Sequence, residues 1–169
     1  MAVTYTEISS VVVTGNTPSI RFGNIPQTYT DLVLHYDFTA ASNGDYAMTF
    51  NDDITARYHR AYGFSNTTAA SDSNGFNSPI GIGNLNAFSF GSVSSGVCNI
   101  MEYANPNIYK TSITEANING GANYTGVYVG VWYSLAPVTT ITFKPFADAA
   151  ALASITPGSK FTLYGIKGA

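Results

Sequence analysis

Thr30-Asp31-Leu32-Val33-Leu34-His35-Tyr36-Asp37-Phe38 is the stretch that decides the fold. In an extended chain Leu32, Leu34, Tyr36 and Phe38 fall on one side, and Asp31, Val33, His35 and Asp37 on the other. Period-two alternation with large apolar groups on one side marks a strand that buries one face. The same pattern recurs downstream. In Tyr124 to Leu135, Tyr128, Gly130 and Trp132 oppose Val127, Val129, Val131 and Tyr133. In Thr139 to Phe146, Ile141 and Phe143 oppose Thr140, Thr142 and Lys144. In Lys160 to Ile166, Phe161, Leu163 and Gly165 oppose Thr162, Tyr164 and Ile166.

Weaker strands fill the intervals: Thr4 to Thr14 (bent near Ser9-Ser10), Ser19 to Phe22, Tyr46 to Phe50, Pro79 to Gly83, Ala87 to Phe90, Val97 to Tyr103 and Ile108 to Ile118. Ala56 to Phe64 reads either as a strand with Tyr58 and Tyr62 on one face or as a short helical turn. Asn66 to Ser78, rich in Ser, Thr, Asn and Gly, reads as a long exposed loop. Ala147 to Ile155 reads as a short helix or a loop. Gly15-Asn16-Thr17-Pro18, Asn51-Asp52-Asp53, Asn119-Gly120-Gly121 and Pro157-Gly158 punctuate the pattern. Eight to ten strands with turn signals about every ten residues, and no strand–helix alternation, predict an all-β domain. The expected architecture is one antiparallel β-sandwich over residues 1–169, a jelly roll.

Composition agrees. The 169 residues are 45% hydrophobic but only 10% charged, against roughly 25% charged in ordinary soluble domains. That is not the low-hydrophobicity, high-charge balance of disorder. The net charge is −3, and the seven Lys and Arg are scattered. A nucleic-acid surface needs a concentrated positive field, so none is expected. No stretch approaches the roughly 20 apolar residues of a membrane span. Met1-Ala2-Val3-Thr4-Tyr5 carries neither a basic region nor an apolar run, so no export signal is expected. The glycosylation patterns Asn66-Thr67-Thr68 and Asn123-Tyr124-Thr125 therefore carry no weight. A single cysteine, Cys98, excludes an intramolecular disulfide and reads as a small half-buried residue.

Little in the chain points to catalysis. The two histidines are His35 and His59. Asp31, His35 and Asp37 share a strand face, which permits a metal or acid–base site, but a polar face toward solvent or a partner is the simpler reading. His59, between Arg57 and Arg60, suggests an interface or an ion pair with a carboxylate. Asp45, Asp52 and Asp53 invite a loop cation, without the ligand spacing of an EF-hand. Asp31, Asp37, Asp72, Glu102 and Glu115 could serve glycoside hydrolysis only if folding set two of them across a groove. Gly81-Ile82-Gly83 lacks the third glycine of a dinucleotide fingerprint. Trp132 reads as core. A sugar-binding face would need exposed aromatics in line, with Tyr5, Tyr58, Tyr62 and Tyr124 as the candidates. The expectation is a non-enzyme with no catalytic, cofactor or metal residues.

Four phrases carry a resemblance: Phe22-Gly23-Asn24-Ile25-Pro26-Gln27-Thr28-Tyr29-Thr30-Asp31-Leu32-Val33-Leu34; Ile100-Met101-Glu102-Tyr103-Ala104-Asn105 with Tyr109-Lys110-Thr111; Gly130-Val131-Trp132-Tyr133-Ser134 with Ile141-Thr142-Phe143; and Gly158-Ser159-Lys160-Phe161-Thr162-Leu163-Tyr164-Gly165-Ile166-Lys167. Together the chain resembles a family of small β-sandwich virion structural proteins of tailed phages. The first and last phrases are the specific ones, and residues 40–56 depart from the family pattern. The resemblance implies a virion component. The short length, with little beyond one sandwich, favours a separate capsid decoration or cement protein on the capsid exterior, bound to the major capsid protein. Such proteins sit at local symmetry axes, so a trimer is expected. The alternative is a tail- or fibre-associated protein with host-surface carbohydrate binding. The resemblance implies no catalytic residue, cofactor or metal. Residues 2–13 are the expected docking or exchanged strand, because strand addition would satisfy their backbone groups.

Overall fold

The computed structural model describes residues 4–41, 45–55, 57–65, 70–78, 93–119, 124–146 and 154–167. Among them eleven strands form two antiparallel sheets: β1 (Thr4–Val12), β2 (Ile20–Phe22), β3 (Asp31–Thr39), β4 (Asp45–Phe50), β5 (Tyr58–Ser65), β6 (Ala70–Ser78), β7 (Val93–Met101), β8 (Lys110–Asn119), β9 (Tyr124–Trp132), β10 (Ile141–Phe146) and β11 (Lys160–Lys167). The large sheet has the order β1-β11-β3-β7-β8-β9-β5-β6 and the small one β2-β10-β4. The domain is all-β, as the alternation requires.

β3 lies between β11 and β7. Its Leu32, Leu34, Tyr36 and Phe38 are buried, while His35 and Asp37 are exposed. Val33 points outward yet is buried as well, beside Tyr164, whose ring meets Tyr5 and His35 edge-on. The small sheet supplies the opposing layer through Ile20, Phe22, Tyr46, Met48, Phe50, Ile141 and Phe143. Phe143 is the hinge of the packing. Its ring centroid lies 4.8 Å from Tyr46, 5.0 Å from Phe161, 5.2 Å from Phe38 and 5.4 Å from Tyr36. Such aromatic pairs contribute about 0.5–1.5 kcal/mol each beyond their buried area.

The tyrosine hydroxyls inside this layer are paired, whereas among the described residues Thr49 Oγ1 and Ser94 Oγ are buried without a hydrogen-bond partner. The Tyr36 and Tyr46 hydroxyls bond each other, and burial pushes both phenols far above their ordinary pKa. Gly96 on β7 makes room for that pair. A Cβ there would lie 2.4 Å from the Tyr36 hydroxyl and 2.7 Å from the Glu115 carbonyl. Tyr29 uses Gly165 in the same way, with a Cβ there 2.4 Å from its ring. Tyr29 belongs to the first specific phrase of the sequence and Gly165 to the last, so the two phrases touch. The Thr30 amide donates to the Ile166 carbonyl at 2.8 Å beside that contact.

Several elements differ from the sequence reading. Ala70–Ser78 is a strand, not part of an exposed loop, and it pairs with β5 from Tyr58↔Ser78 to Ser65↔Ala70. Its Ser/Asn/Gly-rich sequence has little strand preference, so the ladder to β5 holds it extended. Of the two readings open for residues 56–64, the strand is the one found, as β5, with Tyr58 wholly buried. β7 starts at Val93, because Ser94, Ser95 and Gly96 have ladder partners on both sides. The bend expected at Ser9-Ser10 is a register shift between Glu7 and Ser9. The expected strands at 79–83 and 87–90 lie outside the described residues, as do residues 147–153 of the expected helix or loop. Ile155, which ends that segment, bridges Thr17 and Ala40.

Truncating Phe143 to alanine removes a buried ring shared by both sheets and should cost about 3–5 kcal/mol. Denaturant unfolding of Phe143→Ala checks it. An exposed control, Val12→Ala, should change stability little.

Candidate functional site

The side of the large sheet away from the small one divides into two regions. At one end, around the turn after β7 and the end of β9, Ile108, Tyr109, Tyr133 and Leu135 are each 41–49% exposed. Tyr109 and Tyr133 meet edge-on at 5.1 Å, and Tyr133 meets His59 edge-on at 4.7 Å. Lys110 supports this end from beneath. Its side chain is buried, and its ammonium donates to the carbonyls of Asn105, Ile108 and Leu135. Burial pulls its pKa below the ordinary lysine value. A band of Val127 and Val129, 47% and 38% exposed, runs along β9 from the tyrosines.

At the other end lies a depression of about 440 Å³ over β3, β7 and β8. The register places its side chains in two cross-strand rows. One row is Asp37, Ser95, Asn117 and Thr125; the next is His35, Val97, Glu115 and Val127. The Ser95 hydroxyl donates to Asn117 Oδ1 at 2.7 Å. That fixes the carboxamide and leaves its NH₂ as a donor. Neither the Asp37 nor the Glu115 side chain has a hydrogen bond or ion pair to another described residue.

The residues singled out from sequence are distributed as follows. His35 and Asp37 do share an exposed face, but Asp31 sits at the far end of β3, where its carboxylate accepts the Glu102 amide at 2.7 Å. Glu115 joins His35 and Asp37 at the depression. Glu102 accepts from the Asn105 side chain at 3.2 Å, away from it. The side chains of Asp72, Arg60, Tyr62, Tyr124 and Asp45 lie outside the described residues, as do Asn66, Thr67, Thr68, Asn123 and Gly81 to Gly83. His59 contacts a tyrosine ring, and Arg57 is exposed. Tyr58 has no exposed surface, which removes it from any sugar-binding row. Its hydroxyl accepts the Phe50 amide at 3.0 Å and donates to the Asp53 carbonyl at 2.9 Å. Trp132 is core, stacked on Tyr58 at 6.3 Å. Cys98 is buried rather than half-buried, and burial pushes its thiol up to about 12.

The Asn51-Asp52-Asp53 turn has structural work for its carboxylates. Asn51 and Asp52 both have positive φ, 51° and 54°, and the Asp53 amide donates to the Phe50 carbonyl at 2.9 Å. Both central residues in the left-handed region make this a type I′ turn, which favours Asn and Asp. Asp52 accepts from Arg21 at 2.9 Å and Thr142 at 3.1 Å, and the guanidinium holds its carboxyl below the ordinary range. Asp53 accepts from Thr55 through one oxygen and from Trp132 Nε1 at 2.8 Å through the other. The loop-cation reading has no free oxygen left on either residue. Among the described residues no group of three His, Cys, Asp or Glu side chains could hold a metal ion, and no helix is long and apolar enough to cross a membrane.

Sequence reasoning missed the Tyr109–Tyr133 patch and buried Lys110. The signal for both was alternation continued past the strand ends: Trp132 inward puts Tyr133 outward, and Lys110 inward puts Tyr109 outward.

No family model and no curated protein matches the chain. Among solved structures, it is similar to a protein of unknown function from Shewanella oneidensis MR-1, at 7% identity over 96% of this chain and 75% of that one, with a TM-score of 0.22. A likeness that loose transfers neither fold nor activity.

Burial works to raise the Asp53 carboxyl, and its Thr55 and Trp132 donors outweigh it, so the pKa is lowered. A depressed carboxylate contributes stability that is complete above the unfolded value of roughly 3.9 and lost as pH falls through the folded value. Trp132, the single tryptophan, reports on this contact. Its fluorescence should change, and the Tm fall, on acidification below about pH 4. Asp53→Asn should remove the fluorescence step while keeping the fold at neutral pH.

Proposed function

We propose that this chain is a virion structural protein of a tailed phage, and specifically a capsid decoration or cement protein. It docks on the exterior of the shell formed by the major capsid protein, binds neither nucleic acid nor membrane, and catalyses nothing. The single observation that carries this reading is the open edge of β1. Among the described residues no strand pairs with its outer side. Nine residues, Thr4–Val12, offer an unpaired backbone ladder there. Natural edge strands are blunted by lysine, proline, short length or bulges. β1 has no lysine or proline, one charge at Glu7, and a single irregularity at Glu7/Ser9. Tyr5 and Val12 are 56% and 59% exposed beside that edge. Such a strand suits addition of a partner strand, in which backbone bonds supply affinity. Because β1 is seated on its own β11, docking here needs no exchange between copies.

The sandwich is assigned to the jelly-roll class, which the strand order supports. First, last and third strands lie side by side in one layer, and second, penultimate and fourth in the other, the nested order of two Greek keys. Trimer contacts are assigned to the Ile108, Tyr109, Tyr133 and Leu135 patch, since exposed tyrosines and aliphatics of that kind are enriched in the centres of subunit interfaces. The second reading is a tail- or fibre-associated protein. The solvent-open depression at Asp37 and Glu115, a fitting place for a host-surface sugar, is the observation that favours it.

Cryo-electron microscopy of purified virions tests the placement: regular positions on the capsid are expected, and density only at the tail would overturn the decoration reading. Tyr5→Lys with Val12→Lys, or a chain lacking residues 1–5, should lower the copy number per particle measured by quantitative mass spectrometry. Unchanged incorporation of both would sink docking through β1. Tyr133→Asp should convert the purified oligomer to monomer in light scattering, with the circular dichroism of the parent retained. An oligomer of unaltered mass would reject the patch as the subunit contact.

A further inference from the structure

We infer that the depression over β3, β7 and β8 is a saccharide-binding site for one or two pyranose rings. It deepens the sugar-binding element of the second reading, yet it rests on the sandwich alone and stands whether the protein sits on capsid or tail.

The argument starts from spacing. Asp37 and Asn117 are two strands apart, about 10 Å, and successive outward rows are about 7 Å apart. Asp37 and Glu115 therefore stand on diagonal corners, their Cα atoms about 12 Å apart. Among the described residues no group of three His, Cys, Asp or Glu side chains could hold a metal ion, the corner carboxylates included. The two carboxylates also make the depression repel phosphates and other anions. A simple ammonium group would satisfy one corner and leave the amide, hydroxyl and imidazole unused. A sugar matches the whole set. Its ring hydroxyls donate to the unpartnered carboxylates of Asp37 and Glu115, and its oxygens accept from the Asn117 NH₂ that the Ser95 bond leaves available. Thr125 and His35 can do either.

The floor suits the other part of a sugar. It consists of the backbones of Tyr36, Gly96 and Ala116, whose ladder bonds are already made between strands, with Val97 beside them. A pyranose C–H face can lie on such a surface without stranding a polar group, so this flat backbone floor takes the place of the aromatic row expected from the sequence. The volume, about 440 Å³, falls within the roughly 300–1,000 Å³ typical of small-molecule sites.

The rows are also rigid. Every lining position belongs to a strand paired on both sides, and Gly96 is locked over Tyr36. Little conformational entropy is lost on binding, which is the condition for weak, reversible recognition through hydrogen bonds alone.

The test is a ¹⁵N–¹H NMR titration of the purified full chain with maltose, lactose and chitobiose. At least one should give saturable shifts centred on the Gly96, Val97 and Asn117 amides. The exposed, near-isosteric pair Asp37→Asn with Glu115→Gln should weaken that binding about tenfold or more while leaving the rest of the spectrum in place. No saturable shift with any of the three sugars, or binding indifferent to the double substitution, overturns the assignment. Equal shifts with ethylammonium chloride would overturn it in favour of a cation site. A negative result leaves the placement on the particle, read by microscopy, untouched.

Discussion

Everything on the outer surface of the large sheet is held in place by what β3 does on its inner side. Tyr36 and Phe38 pack into the rings of Tyr46, Phe143 and Phe161, and Leu32 and Leu34 complete the row. A strand's side chains alternate strictly, so sliding β3 by one residue would drive His35 and Asp37 into that aromatic layer and expose the leucines. The cost of such a slip is several buried rings plus an uncompensated carboxylate in the core. Register is therefore fixed from inside. β7 and β8 inherit it through continuous ladders to Ile100 and Ala116. The depression exists because three strands agree on which residues face out.

That constraint also explains why so small a complement of charges suffices. The large buried polar side chains are satisfied internally, as in the Tyr58 hydroxyl bridging Phe50 and Asp53, and five of the described carboxylates fall into two groups. Asp31, Asp52 and Asp53 are bound to loops and turns and act as fasteners. Asp37 and Glu115 are left without described partners. Lys110 is the cationic counterpart of the fasteners: its ammonium gathers carbonyls from the β7–β8 turn and the segment after β9, and thereby sets Tyr109 beside Tyr133.

Alternation carries a great deal of this on the page of the sequence. In 31–38, 124–132, 141–146 and 160–167 it gives the strand, the buried side and the burial of Trp132. It does not say which strands are neighbours, and the depression depends on that: Asp37 and Glu115 are 78 positions apart and meet only because β7 lies between β3 and β8. Ala70–Ser78 was illegible for a different reason. Its extended form comes from the β5 ladder, which leaves no mark on a Ser/Asn/Gly-rich stretch. Tyr58 misleads in the opposite sense. Its exposure depends on whether its face of β5 looks into the sandwich, and periodicity alone cannot choose. Asn51-Asp52-Asp53 reads correctly as a turn, but only the structure shows each carboxylate already taken by Arg21, Thr142, Thr55 or Trp132.

The pairing of β1 with β11 joins Thr4–Val12 to Lys160–Lys167, more than 140 positions later in the sequence, from Thr4↔Lys167 to Val12↔Lys160. On a ribosome β1 is made long before β11, its one partner among the described strands. Until residues 160–167 emerge, Tyr5, Ile8, Val11 and Val12 have nothing in this fold to pair with, and β3 lacks one of its two neighbours as well. The arrival of β11 is thus the closing step of this end of the large sheet. Loops that long are slow to close, and a topology dominated by distant pairings folds in milliseconds to seconds rather than microseconds. A chain that must wait with an apolar strand exposed is vulnerable to joining another nascent copy first. Its yield in a cell is therefore set as much by how quickly β11 follows the earlier strands as by how stable the finished sandwich is.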